Sequence, residues 1–254
     1  RVTCGHFADW LDGPWTPANY RTDVGNTVDG WLGQQVLLPA SGIVPLPDAV
    51  SDATAATLSG SAVTAWNALK VVTQVGPGDT VLSLGTGGVS SWGLLLAKAA
   101  GARVAVTSSS DAKLEKMREL GADITVNYKR NAEWGAEVQE LSKGGATIVL
   151  ENVGRPTLDQ SMNACASNAM IVMIGTGPLP KQLPKMPGFY VKNLAMKAIS
   201  NGSRAMLAAL VAEVADRRIE AVIGGRFAFD DVVAAFGYAR ASSHVGKVIV
   251  DHKV

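Results

Sequence analysis

A doubly wound, parallel α/β sheet is the fold this sequence predicts, and three observations predict it. Short apolar runs alternate with helix-length stretches from Thr80 to about residue 200. A glycine-rich corner joins the first run to the first of these helices. The alternation of short apolar strands with helices is that of a parallel sheet covered on both faces. The 254 residues are 47% hydrophobic and 18% charged, the composition of a soluble, well-buried globular chain. Lys and Arg number 23 against 22 Asp and Glu, a net charge of +1 that gives no footprint for nucleic acid or an anionic membrane.

The elements follow in order. Residues 1–35 are rich in Gly, Trp, Thr and Asp and read as loop and strand material. Val36–Pro39 and Ile43–Pro47 are short extended runs, and Ser51 or Asp52 can cap one helix through SDATAATLSGSAVTAWNALKVV. Strands are then expected at Val81–Leu84, Arg103–Thr107, Ile124–Val126, Thr147–Leu150 and Ala169–Ile174. A sixth is expected at Leu194–Ile199, after a proline-rich crossing at Pro178–Pro187. The helices between them are Trp92–Ala100, Asp111–Leu120, Glu133–Ser142 and Thr157–Ala166. The tail carries helices at Arg204–Arg218 and Asp230–Arg240, an extended piece at Ala221–Ile223 and a strand at Lys247–Val250. Two structural units are expected, one of them built from both chain ends.

Two cysteines, Cys4 and Cys165, and three histidines leave no room for a four-thiolate zinc cluster or a disulfide framework. Low cysteine usage suits a reducing compartment, and a cytoplasmic location is expected. No run approaches a membrane span, and RVTCGHFADW has no apolar signal core.

The strongest chemical signal is VLSLGTGGVSSWG at residues 81–93. Glycines between strand and helix let the backbone approach a pyrophosphate, which sits on the N–H groups and positive end of the new helix. Ser90 takes the sixth fingerprint position, small enough to pack closely on the strand; a bare structural turn is the alternative. An NAD-type site places Asp or Glu near the end of the second strand to accept the ribose 2′-OH. Here Thr107, Ser108, Ser109 and Ser110 stand there, and Asp111 comes late, where it can cap the next helix. Those hydroxyls with Lys113 can hold a 2′-phosphate, which favours NADP (as NADPH) over NAD; a solvated loop reads the same way.

GTGGVS, AKAAGARV, TSSSDAKLEKMRELGAD and the VNY of residues 126–128 together resemble the medium-chain dehydrogenase/reductase superfamily. The nearest branch is its zinc-independent, quinone-oxidoreductase-like alcohol dehydrogenases. LPDAVSDATAATL, AVTAWNAL and HVGKVIV extend the resemblance over nearly the whole chain. It implies a Rossmann domain at residues 61–200 and an incomplete GroES-like catalytic domain from residues 1–60 and 201–254. It also implies that the N-terminal part of that catalytic domain is lacking, and that an association must cover the exposed edges. It places Gly85, Thr86, Gly87, Gly88 and Val89 on the pyrophosphate, and Ser108, Ser109, Lys113 and Tyr128 at the 2′-phosphate. Thr64, Asn152, Val153, Gly175 and Thr176 flank the nicotinamide, and the sixth strand pairs across a homodimer.

The family's zinc cysteine falls at Gly60, so no metal is expected, although Cys4 and His6 form an imaginable partial site. Cys165 reads as core. Glu151 is either a partnered structural carboxylate or a group near the nicotinamide, and Arg155 either approaches the phosphates or is solvated. Trp92 reads as packing, and Trp10, Trp15 and Trp31 as lining for an apolar substrate cleft or as compensation for missing core. The expected activity is NADPH-dependent hydride transfer to a small apolar enone, quinone or carbonyl, with no catalytic side chain assigned. The alternative is a non-redox member of the fold, a binding protein or a cyclase/isomerase.

Overall fold

The computed structural model describes residues 1–179 and 184–252. Its contacts divide the chain into two units, Arg1–Asn67 with Ser200–Val254, and Ala68–Ile199.

The first unit opens with β1 (Val2–Cys4), antiparallel to β2 (Ile43–Pro45). The irregular chain between them is held by aromatic rings: Phe7, Trp10, Trp15 and Tyr20 meet at centroid distances of 4.7 to 6.5 Å. Trp31 is not in this set. The chain turns away at Gly25, with φ +82°, and Trp31 lines an apolar cavity of about 580 Å³ with Phe236 and Val250. The extended run expected at Val36–Pro39 forms no strand, and Val36 and Leu37 are exposed.

The single helix expected from residue 51 is interrupted. α1 (Asp52–Ala55) is capped by Ser51, whose hydroxyl accepts from Thr54 N at 3.2 Å. A wide turn at Leu58–Ala62 precedes α2 (Val63–Trp66), and a second wide turn follows at Asn67–Val72. Gly60 weakens the helix at this point, and threonine hydroxyls compete for its carbonyls: Thr64 Oγ1 donates to Gly60 O and Thr73 Oγ1 to Ala68 O.

The second unit is the predicted sheet. In chain order it runs β3 (Thr80–Leu84), α3 (Gly88–Ala99), β4 (Arg103–Ser108), α4 (Asp111–Glu119), β5 (Ile124–Asn127) and α5 (Trp134–Leu141). It continues with β6 (Ala146–Glu151), α6 (Leu158–Ala164), β7 (Cys165–Met173), α7 (Pro187–Val191) and β8 (Ala195–Ala198). All six strands are parallel, in the order β5-β4-β3-β6-β7-β8. The order reverses between β3 and β6, and such a switch point opens a crevice at the carboxyl ends of the strands. One face is sealed by a core of Leu82, Ala105, Val126, Trp134, Val149, Met162 and Ile171.

β7 begins four residues earlier than expected, at Cys165. The reason lies far along the chain: Lys192 Nζ donates to the carbonyls of Met162, Asn163 and Cys165 at 2.7–3.1 Å, closing the carboxyl end of α6. Of the expected crossing at Pro178–Pro187, residues 180–183 lie outside the described residues.

The chain returns to the first unit through α8 (Arg204–Arg217), β9 (Ile223–Ala228), α9 (Val232–Arg240) and β10 (Lys247–Asp251), with β9 and β10 parallel. Among the described residues no helix is long and apolar enough to cross a membrane.

Burial makes both thiols poor nucleophiles. It pushes Cys165 up to about 12, with Lys192 opposing and Glu151 adding, and it also raises Cys4. Neither cysteine of the folded protein should be alkylated within minutes at about pH 8, whereas both should react in denaturant. Mass spectrometry of the quenched protein reads the result, and rapid labelling of the native state at Cys165 would contradict it.

Candidate cofactor site

At the end of β3 the chain reverses through Gly85, whose φ of +82° suits glycine and whose N–H donates to Thr107 O at 2.9 Å. Thr86 is buried and Val89 half-buried. Gly87 is the N-cap of α3 and brings no side-chain cap; a Cβ placed there would meet nothing within 4 Å. Open space over an uncapped helix start, continued by Gly88, is a cradle for a dinucleotide's phosphates.

Ser90 packs closely on the end of β3, as its small size allows, and Gly93 makes a second close helix–strand approach. A Cβ on Gly93 would stand 2.6 Å from Leu150 Cδ1, so any larger residue there must push the Leu150 side chain aside for α3 to settle on β6. Ser90 ties the strand ends together, since its hydroxyl donates to Leu84 O at 2.8 Å and accepts from Asn152 Nδ2 at 3.1 Å. Gly93 is the last glycine of VLSLGTGGVSSWG, and this spacing was the signal available for it.

The second corner lies at the ends of β4 and β5. Ser108 is buried, Ser109 exposed, and Tyr128 N donates to Ser108 O at 3.1 Å, setting the two beside each other. Ser110, not Asp111, caps α4. Ser110 is the last residue with extended backbone, and its hydroxyl accepts from Lys113 N at 3.4 Å. Asp111 already lies in the helix, and its carboxylate turns to Asn127 Nδ2, 2.8 Å away, and to Arg130 Nη2. Lys113 stands half-buried on the first turn. Arg130 and Asn127 escaped the sequence reading because their link to Asp111 crosses from α4 to β5.

The third corner is the interlocked ends of β6 and β7. Glu151 is fully buried; its Oε1 accepts from Val153 N, Gly154 N and Thr157 Oγ1 at 2.8–3.0 Å, and its Oε2 from Ser161 Oγ. Its carbonyl accepts from Ile174 N and Gly175 N, and Val153 O from Gly177 N. Of the two readings of Glu151, the geometry selects the partnered structural carboxylate. Arg155 and Thr176 are exposed. Asn152 Nδ2 reaches Leu84 O at 3.2 Å, while its buried Oδ1 finds no partner among the described residues.

The sheet thus gathers Gly85–Val89, Ser108, Ser109, Lys113, Tyr128, Asn152, Val153, Gly175 and Thr176 at the carboxyl ends of its strands. Thr64 lies in the other unit, buried, its hydroxyl bonded to Gly60 O at 2.8 Å.

Residues 88–216, half of the chain, match the family model for zinc-binding dehydrogenases. The chain belongs to that family, within the medium-chain dehydrogenase/reductase superfamily. A zinc-type alcohol dehydrogenase-like protein of Schizosaccharomyces pombe is 39% identical, over 98% of this chain and 74% of that protein. A structure from Sinorhizobium meliloti 1021 assigned to the alcohol dehydrogenases superposes with TM-score 0.90 at 34% identity, over 98% of this chain and 74% of its own. An NAD-dependent alcohol dehydrogenase superposes at 0.83 with 27% identity, covering 91% and 68%. A mycobacterial protein complexed with NADPH does so at 0.73 with 28% identity, covering 84% and 68%. These relatives of the dehydrogenase fold make the chain an oxidoreductase of a nicotinamide-using superfamily.

The family description names zinc, and the residues of this dehydrogenase do not fit it. Among the described residues no group of three His, Cys, Asp or Glu could hold a metal ion. Cys4 is buried in β1, His6 Nε2 lies 2.8 Å from Asp23 Oδ1, and Gly60 has no side-chain donor.

Proposed function

We propose that this dehydrogenase uses NADP(H), residues 61–200 forming its nucleotide domain, and exchanges hydride with a small apolar enone, quinone or carbonyl substrate. Relatives of both cofactor types exist, so the choice rests on the β4–β5 corner. Ser108, Ser109, Lys113 and Tyr128 supply hydroxyls and a cation there, and the nearest acid, Asp111, is already bonded to Asn127 and Arg130. That arrangement is the observation that carries the reading.

When bound, the nicotinamide supplies the hydride chemistry. The chain's own part is to bind and orient. Gly85–Val89 would hold the pyrophosphate with backbone N–H groups, and Asn152 Oδ1 offers a buried acceptor to a donor such as a carboxamide. Val153, Gly175 and Thr176 would form the wall beside the ring. Charge developing on a substrate oxygen would be met by hydroxyls or backbone N–H groups. Reduction of a conjugated C=C suits such a site better than alcohol oxidation. We also propose that the protein works in the cytoplasm as a homodimer, with the edge strand β8 as the pairing edge.

Lys113→Ala tests the cofactor assignment. Loss of one charge-assisted contact, worth about 1.5–3 kcal/mol, should weaken NADPH by roughly ten- to a hundred-fold and leave NADH nearly unchanged. Titration with each cofactor reads this, and an unaltered NADPH/NADH ratio would remove Lys113 from the site. Turnover of a panel of enones with NADPH tests the reaction. Bound NADPH with no turnover across the panel would overturn it.

A further inference from the structure

We infer that Arg130 is a specificity-determining residue that ties off Asp111 and so keeps the cofactor corner acceptable to a 2′-phosphate; this rests on the NADP reading above. Asp111 is the first acid after β4, one residue beyond the serine segment and two before Lys113. Left to itself, a carboxylate at this corner would do what such acids do in NAD sites: accept a ribose hydroxyl and repel a phosphate. Ser110 takes the capping position, so Asp111 is spared for other partners. Its two oxygens divide between them: Oδ1 accepts from Asn127 Nδ2 at 2.8 Å, and Oδ2 from the Arg130 guanidinium.

The pair is anchored to the corner it governs. Asn127 is the last residue of β5, and the next residue, Tyr128, donates its N–H to Ser108 O. Lys129 N donates to Asn127 Oδ1 at 3.0 Å, which fixes the turn that presents Arg130. The amide of Asn127 is thereby committed at both ends, and Asp111 is held against β5. Both members of the ion pair remain more than half exposed, at 73% and 53%. Its influence therefore has the modest scale of a surface charge, and its effect falls on choice between cofactors, not on folding.

The experiment measures NADPH and NADH dissociation constants for four full-length proteins: the wild type, Arg130→Ala, Arg130→Lys and the double variant Arg130→Ala/Asp111→Asn. Arg130→Ala should weaken NADPH about five-fold, the effect of one exposed charge, with NADH unchanged or slightly tighter. Arg130→Lys keeps the charge and should retain most of the preference. The double variant should recover the wild-type ratio, because the acid that Arg130 restrains is gone. A wild-type ratio in Arg130→Ala would overturn the inference, as would a double variant no better than the single one. A wild type that prefers NADH would instead overturn the NADP reading, whatever the variants do. Damage to the fold would weaken both cofactors together, so the ratio separates it from either outcome.

Discussion

Glu151→Ala should destabilise the second unit by about 3–5 kcal/mol, the scale of leaving buried donors without an acceptor and a cavity behind. The carboxylate has no solvent exposure and accepts from Val153 N, Gly154 N, Thr157 Oγ1 and Ser161 Oγ. Thr157 can fall back on Gly154 O, already 3.0 Å away, whereas Gly154 N and the Ser161 hydroxyl are buried donors that lose their acceptor. Each buried donor left without an acceptor costs about 1–3 kcal/mol, and the vacated volume adds a cavity term. Glu151→Gln keeps one oxygen for the backbone donors and an amide that can donate to the Ser161 hydroxyl, so its cost should be far smaller. Denaturant unfolding of the two variants checks the order. An alanine variant within about 1 kcal/mol of wild type would show that the turn stands without its carboxylate.

The second large effect concerns two glycines of opposite character. A Cβ on Gly175 would lie 2.3 Å from Asn152 O and 2.6 Å from Val153 N, and both are backbone atoms. Gly175→Ala must therefore displace the β6 turn, at a cost of about 1–3 kcal/mol, and should abolish NADPH turnover. At Gly87 the same Cβ meets nothing, so Gly87→Ala should unfold at the wild-type denaturant concentration while cofactor affinity drops. Unfolding curves measured beside NADPH titrations separate the two. Equal stability of Gly175→Ala and wild type would contradict the interlock, and undiminished NADPH binding by Gly87→Ala would return the glycine turn to a structural corner.

The sheet was legible because its strands are buried on both faces and so are largely apolar; β3 is buried along its whole length, with Thr80 and Ser83 its polar residues. The glycine turn was legible for a similar reason, since few residues can serve where strand, turn and phosphate meet. The errors share one physical source, competition between alternative partners, some local and some far along the chain. Lys192 ends α6 from 27 to 30 residues away, so local propensity at Thr157–Ala166 could not locate the helix end. Ser110 and Asp111 are both good caps, and the backbone angle that chooses between them is fixed by the exit of β4. The helix from residue 51 reads as continuous by composition, yet Gly60 and the hydroxyls of Thr64 and Thr73 redistribute its carbonyl bonds. Glu151 stood out as an acid ending an apolar strand, but its four donors come from a turn and a helix whose positions only the fold supplies.

The interlock of the β6 and β7 exits also bears on how this protein can be re-engineered. A Cβ on Gly154 would lie 2.7 Å from Gly175 O, one on Gly177 2.4 Å from Val153 O, and the carbonyl of Glu151 is shared by Ile174 and Gly175. The two loops thus behave mechanically as one piece, and neither can lengthen or change course while the other stays in place. Transplanting residues 152–155 from a relative would bring a mismatched half into a fitted joint. Residues 174–177 would have to travel with them, and variation that reshapes this wall should come as paired changes twenty or so residues apart.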